Sequence, residues 1–216
     1  MLENYFERIW LQIKGMRTMF LIPLIGYFGI IPLGVWLMTA NSECVLYDAI
    51  MQMCFLLVPF LSTWWIYMIV KEYVEGNGRE VLLLGRGTFF TAVFFWLVNV
   101  LCFIPLFYVD VGYQFTPNIL YLFEHLVIIS FFMGGLAYFL NYFTKSITAS
   151  MFIIILYTAI SNYRFSSEKF VSVLGKIQLT NLQEVPYDGN YSLYEWFIFL
   201  GIVFWIAGVL QSKKAE

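Results

Sequence analysis

Charged residues are scarce in this chain of 216 residues: Asp, Glu, Lys and Arg together make up 12% of it, about half the share of an average soluble domain. Apolar residues make up 61% and aromatic residues 21%. A soluble domain of this length cannot bury so much apolar surface, because most side chains of a small globule still touch water. The composition therefore predicts an all-α integral membrane protein that has the bilayer as its apolar solvent.

Histidine and cysteine are also scarce, with one His and three Cys in the whole chain. A single histidine excludes HExxH and His-cluster metal chemistry, and three scattered cysteines form neither a disulfide framework nor a CxxC metal site. The sequence holds no GxxxxGK[ST] phosphate-binding loop, and its net charge of −2 offers no basic surface to nucleic acid. We therefore expect no metal, no cofactor, no catalytic residue and no nucleic-acid partner for this chain.

Six apolar stretches are candidates for membrane spans, which need about 20 residues each. They cover residues 19–38, 45–70, 87–109, 118–142, 147–161 and 193–210. The fifth is short, and we expect apolar residues of the following outer segment to dip back into the membrane and complete the crossing. With the N-terminus in the cytoplasm, only Arg164, Lys169 and Lys176 of the 12 Lys and Arg residues lie outside, which favours two cytoplasmic termini.

Residues 1–18 form a separate unit in front of the six-helix domain of residues 19–216. Their apolar residues recur at three- and four-residue spacing, from Leu2 through Ile9 to Met16, which collects them on one helical face. An amphipathic helix of this kind lies in the membrane interface, with Trp10 at headgroup depth. We expect the chain to turn into the bilayer near Gly15, so that the helix is either a plain anchor or an elbow that braces the first span.

The most polar cytoplasmic stretch joins the second and third predicted spans and runs from Lys71 to Arg86. Gly76-Asn77-Gly78 is a strong turn signal, and the residues from Arg79 to Gly85 predict a short helix with a glycine stop. Four consecutive apolar residues at 81–84 need a partner or the membrane surface. The segment is therefore either a loop helix resting on its own bundle or a docking element for a cytosolic protein.

These features together resemble the permease subunits of ATP-binding-cassette exporters of the type V fold, the export-permease family. The shared pattern is an interfacial elbow helix, six spans with cytoplasmic termini, a short cytoplasmic coupling helix between spans two and three, and a re-entrant extracellular helical segment between spans five and six. The polar cytoplasmic stretch also resembles the acidic-Gly, Leu-Leu, basic run by which such permeases contact their ATPase. The residues that the resemblance implies for docking are Glu75, Arg79, Glu80, Leu82, Leu83 and Arg86.

The resemblance implies a transport subunit of the bacterial cytoplasmic membrane that forms the translocation path and is not itself an enzyme. Separate cytosolic ATPase subunits would bind ATP and Mg²⁺, and the permease would pair with itself or with a sister permease. Permeases of this length resemble those of bacteriocin or lantibiotic immunity and peptide-export systems, so the expected cargo is a peptide or an amphipathic, lipid-like molecule. Two alternatives stay open: a non-catalytic membrane accessory or immunity protein acting through its extracellular loop, and an intramembrane enzyme using Glu124 and His125.

Three polar residues inside the predicted spans are candidates for the translocation path or a gate: Asn99, Glu124 and His125. Ionisable groups in a span are costly, by about 2.5–3.5 kcal/mol on insertion scales, and for that reason they mark functional sites. Adjacent residues of a helix point about 100° apart, so Glu124 and His125 cannot share one narrow face. All three also have an ordinary explanation, as polar groups that neighbouring helices satisfy through hydrogen bonds.

Overall fold

The structure is a computed structural model that describes residues 2–41, 46–74, 88–105, 117–162 and 191–215. These residues are almost entirely helical and include no strand. The helices are α1 (Leu2–Met16), α2 (Leu21–Ile25), α3 (Ile31–Asn41), α4 (Leu46–Val74), α5 (Thr88–Leu101), α6 (Pro117–Thr144), α7 (Ile147–Asn162) and α8 (Tyr191–Ala215). The prediction of an all-α fold is confirmed for the part of the chain that these ranges cover.

Four helical stretches are long and apolar enough to cross a membrane: Ile9–Ala40, Met53–Lys71, Phe123–Thr144 and Glu195–Lys213. Two further apolar helices, Thr88–Leu101 and Ile147–Ala159, are shorter. Each of the six predicted spans thus overlaps one of these apolar helical stretches, and four of the stretches have the length of a span. The described helices fit a multi-pass membrane protein, and the count of six spans stays a prediction.

Within the described residues, the third predicted span is interrupted by a turn at Cys102 and Phe103, directly after α5. At the end of this helix the backbone tightens, since the Cys102 N–H donates to the carbonyls of both Val98 and Asn99 at 3.1 Å. Pro105 offers no N–H to the Leu101 carbonyl, which favours this interruption, and residues 104 and 105 are helical again. The predicted end of this span, at residue 109, lies outside the described residues.

The first helix ends in a sharp break. α1 stops at Met16, and Arg17 has a φ of 48°, a left-handed conformation that residues other than glycine rarely adopt. A 3₁₀ turn over Arg17–Phe20 leads into α2. The helix predicted for the first residues is therefore present, and it breaks two residues after Gly15. Its place in a membrane interface stays a prediction.

Two adjacent tryptophans of α4 hold this turn. The indole Nε1 of Trp64 donates to the Met19 carbonyl at 3.0 Å, and that of Trp65 donates to the Phe20 carbonyl at 3.1 Å. Pro23, four residues after Met19, has no N–H with which to close an α-helical hydrogen bond. The two indoles therefore supply donors to backbone carbonyls at the point where the proline and the turn interrupt the helical pattern.

Glycines set the distance between α6 and α8, which form the most extensive helix pair of the described chain. A Cβ atom at Gly135 would lie 2.9 Å from the Gly201 carbonyl oxygen and 2.8 Å from Cδ1 of Trp205. A Cβ atom at Gly201 would in turn lie 2.8 Å from Cδ1 of Phe131. Small residues at a helix crossing allow the two backbones to approach closely, which gains van der Waals contact in a membrane.

Candidate functional site

The predicted ATPase-docking residues lie outside the described residues; they are Glu75, Arg79, Glu80, Leu82, Leu83 and Arg86. The residues that flank them are described. The Thr88 hydroxyl at the start of α5 lies 3.2 Å from the Tyr138 hydroxyl of α6. Val74, the last residue of α4, packs against the buried cluster that contains Tyr138 and Tyr142 of α6. Both flanks of the docking segment therefore lie at the end of the bundle where α6 also ends.

Asn99, the polar residue of the third predicted span, lies inside the bundle with no exposed surface. Its Oδ1 accepts a hydrogen bond of 2.6 Å from the hydroxyl of Tyr27, which is equally buried. Its Nδ2 has no hydrogen-bond partner among the described residues. One half of the amide is thus satisfied by another helix, and the other half keeps an unused donor in apolar surroundings, which costs free energy.

Tyr27 reaches Asn99 from an irregular turn of the first predicted span. Gly26–Ile30 are π-helical, a widened form that is common at functional sites. Pro32 favours it, because a proline cannot donate the α-helical hydrogen bond to the Phe28 carbonyl. The hydrogen bond between Tyr27 and Asn99 therefore joins the π-helical turn of this span to α5.

Replacing Tyr27 by Phe is expected to destabilise the bundle, because both polar atoms of the Asn99 amide then lack partners. Interhelical hydrogen bonds in membrane proteins contribute about 0.6 kcal/mol on average and about 1.7 kcal/mol at most. The double variant Tyr27→Phe/Asn99→Leu should recover part of the loss, since it removes the buried amide together with its partner. Thermal unfolding in mild detergent measures both changes, and a double variant no more stable than Tyr27→Phe would contradict this explanation.

Glu124 and His125 lie on different sides of α6, as the turn of about 100° between adjacent helical residues requires. Glu124 is exposed, whereas His125 is 4% exposed. The His125 ring meets the ring of Phe55 on α4 edge-on, with centroids 5.3 Å apart. His125 is therefore part of the packing between α4 and α6, while Glu124 faces outward. A gate or path role for either residue stays a prediction.

A groove with a volume of about 1090 Å³ runs between α5 and α8, with α6 contributing to its floor. Its walls are mostly apolar, and the rings of Phe89, Phe131 and Trp205 line it. Trp205 is 4% exposed and its Nε1 donates to the Phe131 carbonyl at 3.2 Å, so this ring is fixed in place. Ile206 and Leu210 line the groove and are exposed. The groove therefore opens sideways, toward the space that lipid would occupy.

One end of the groove is polar, because Thr88, Ser212 and Lys213 belong to its lining. The Thr88 hydroxyl lies 3.2 Å from that of Tyr138, and the Ser212 hydroxyl donates to the Val209 carbonyl at 2.9 Å. The Lys213 side chain is exposed. An apolar cleft with a few polar groups gathered at one end is the form expected of a site for an amphipathic molecule.

Sequence reasoning missed Tyr27 and the polar end of the groove. Tyr27 lies in a charge-free run, where a further aromatic residue gives no sign of a hydrogen bond. Lys213 lies in the flank of the last predicted span, where a basic residue indicates only the orientation of the chain in the membrane. The sequence signal that could have found them was the topology. In a six-span arrangement, the start of the third span and the ends of the fourth and sixth spans lie on the same side of the membrane, which places Thr88, Tyr138 and Ser212 on that side.

Comparison with known proteins finds no match, because no protein-family model, no curated protein and no solved structure matches the chain. Within the described ranges, no group of three or more His, Cys, Asp and Glu side chains is placed to hold a metal ion. The function proposed below therefore depends on the sequence and geometry of the chain itself.

Proposed function

We propose that the chain is the permease subunit of an ATP-binding-cassette exporter in the bacterial cytoplasmic membrane, paired with itself or with a sister permease. It forms the translocation path for a peptide or an amphipathic, lipid-like cargo. Separate cytosolic ATPase subunits bind ATP and Mg²⁺ and dock on the segment between α4 and α5. The chain thus supplies path and coupling, and its partner supplies the chemistry.

The observation that carries the proposal is the way in which the first helix joins the bundle. α1 buries Ile9 and Met16 against the core and exposes Trp10 and Leu11 on its other side. The chain then breaks at Arg17, which has a φ of 48°, and continues into a long apolar stretch. An amphipathic helix that ends in such a break beside a span supports the elbow that the permease family would require.

The break is mechanically linked to the helix that leads into the docking segment. Trp64 and Trp65 of α4 donate to the carbonyls of Met19 and Phe20 in the turn after α1. α4 ends at Val74, directly before the first predicted docking residue. A displacement imposed on the docking segment by an ATPase can therefore reach the elbow through a single helix, which supports a coupling role for α4.

Purification of the tagged chain from its native cell in mild detergent, followed by mass spectrometry of the proteins that accompany it, tests the proposal. We expect a stoichiometric subunit that carries a phosphate-binding loop. A multi-pass membrane protein of similar size with the same tag, purified from the same cell, is the control for adventitious capture. A chain that purifies alone or as a homodimer, with no nucleotide-binding companion, would overturn the proposal.

A further inference from the structure

The proposed function leaves the groove between α5 and α8 without a role. Its outer rim is formed by exposed apolar side chains, among them Phe90, Ile206 and Leu210. In a membrane these side chains face acyl chains and not water. An empty cleft would deprive these exposed side chains of dispersion contacts on the side that faces the groove. An apolar molecule from the bilayer is therefore the natural occupant of the groove.

The length of the groove matches one leaflet of a bilayer. From Ile202 to Lys213 its lining follows α8 for about three turns, a rise of about 17 Å. The hydrocarbon layer of a bilayer is about 30 Å thick, so one leaflet provides about 15 Å. An acyl chain that ends near Ile202 thus has its headgroup at the level of Lys213.

The polar end of the groove complements a negative charge. Lys213 is exposed there, and a basic side chain at the membrane surface attracts anionic headgroups. Thr88 and Ser212 lie beside it in the lining. The Ser212 hydroxyl already donates to the Val209 carbonyl, whereas the Thr88 hydroxyl can donate to a phosphate oxygen when it accepts from the Tyr138 hydroxyl. The described residues that line the groove include no Asp or Glu that would repel an anion.

We propose that this groove is a binding site for an anionic phospholipid of the leaflet at the Lys213 end. The phosphate contacts Lys213, and an acyl chain lies along Phe89, Phe131 and Trp205. The lipid connects α5 with α8. Otherwise α5 packs mainly against α4 and α6, and α8 packs mainly against α6. The inference goes beyond the proposed function, because a resident lipid requires no transport.

The test uses the full chain, reconstituted in nanodiscs of equal parts phosphatidylglycerol and phosphatidylcholine, re-extracted in mild detergent and washed. Mass spectrometry of the retained lipid should show a preference for phosphatidylglycerol. Lys213→Gln is expected to lower this preference about fivefold, the effect of one basic residue near an anionic surface. Lys145→Gln is the matched control, because Lys145 is an exposed cation that does not line the groove.

A second variant tests the apolar part of the site. Val209→Trp fills the groove and should lower the retention of both lipids, while the variant still elutes as a single species on size exclusion. Equal retention of the two lipids by the unmodified chain, or an equal effect of Lys145→Gln and Lys213→Gln, would overturn the proposal. A dimer that covers the groove and retains no lipid would overturn it as well. Failure of the permease proposal gives a different result: the chain purifies without an ATPase, and its ratio of phosphatidylglycerol to phosphatidylcholine is unchanged.

Discussion

Replacing Gly135 by Ala is expected to force α6 and α8 apart and to lower the free energy of unfolding by about 1–3 kcal/mol, the usual effect of overpacking a core. The added Cβ would lie 2.9 Å from the Gly201 carbonyl oxygen and 2.8 Å from Cδ1 of Trp205. The carbonyl belongs to the backbone of α8 and cannot rotate away. The Trp205 ring is held by its hydrogen bond to the Phe131 carbonyl, so relief requires movement of a whole helix.

Thermal unfolding in mild detergent measures this loss, and the chain offers a matched control. A Cβ atom at Gly29 would meet only Cγ2 of Ile25, at 3.9 Å, so Gly29→Ala should leave the unfolding midpoint unchanged. Gly135→Leu, with a larger side chain at the crossing, should abolish monodisperse folded protein. Equal midpoints for Gly135→Ala and Gly29→Ala would contradict the close crossing of α6 and α8.

Simultaneous reversal of three charges in the docking segment is expected to release the ATPase. The variant carries Arg79→Glu, Glu80→Lys and Arg86→Glu, and each change places like charges opposite each other if the segment docks on a complementary surface. Such juxtapositions cost several kcal/mol at a protein interface, enough to abolish copurification. The readout is the amount of ATPase that accompanies the tagged chain in mild detergent.

The control for this variant reverses charges at the same end of the bundle but outside the segment. Lys145→Glu and Lys213→Glu change exposed cations and should leave the ATPase bound. A triple variant that still copurifies with the ATPase at full stoichiometry would show that the docking residues are assigned wrongly. If the control pair releases the ATPase and the triple variant does not, the docking surface lies at the ends of α6 and α8.

The positions of the helices could be predicted from the sequence because apolar runs are local and a bilayer demands a minimum length. Helix ends were harder to predict. α5 stops at Leu101 within an apolar stretch, since the backbone tightens at Cys102 and Pro105 supplies no donor. A count of apolar residues predicts neither the tighter turn at Cys102 nor the missing donor at Pro105.

The candidate site was predictable only in part. Asn99 is conspicuous as an amide in an apolar span, but its partner Tyr27 lies 72 residues away and reaches it through a π-helical turn. The side-chain contacts between two helices depend on the rotation of each helix about its axis and on its depth in the membrane. The local pattern of a single sequence does not specify these quantities. The indole donors of Trp64 and Trp65 escaped prediction for the same reason.

The permease proposal depends most directly on the location of one end of the bundle. The ends of α4, α6 and α8 and the start of α5 must all lie on the cytoplasmic side of the membrane. Single cysteines at Glu7, Lys145 and Lys213, three exposed positions, test this in a chain whose native cysteines are replaced by Ser. A membrane-impermeant thiol reagent should label none of the three in intact cells and all of them after permeabilisation. Position 145 is decisive, because it lies inside with six spans and outside if only the four long helices cross. Labelling of Lys145→Cys in intact cells would contradict the six-span permease.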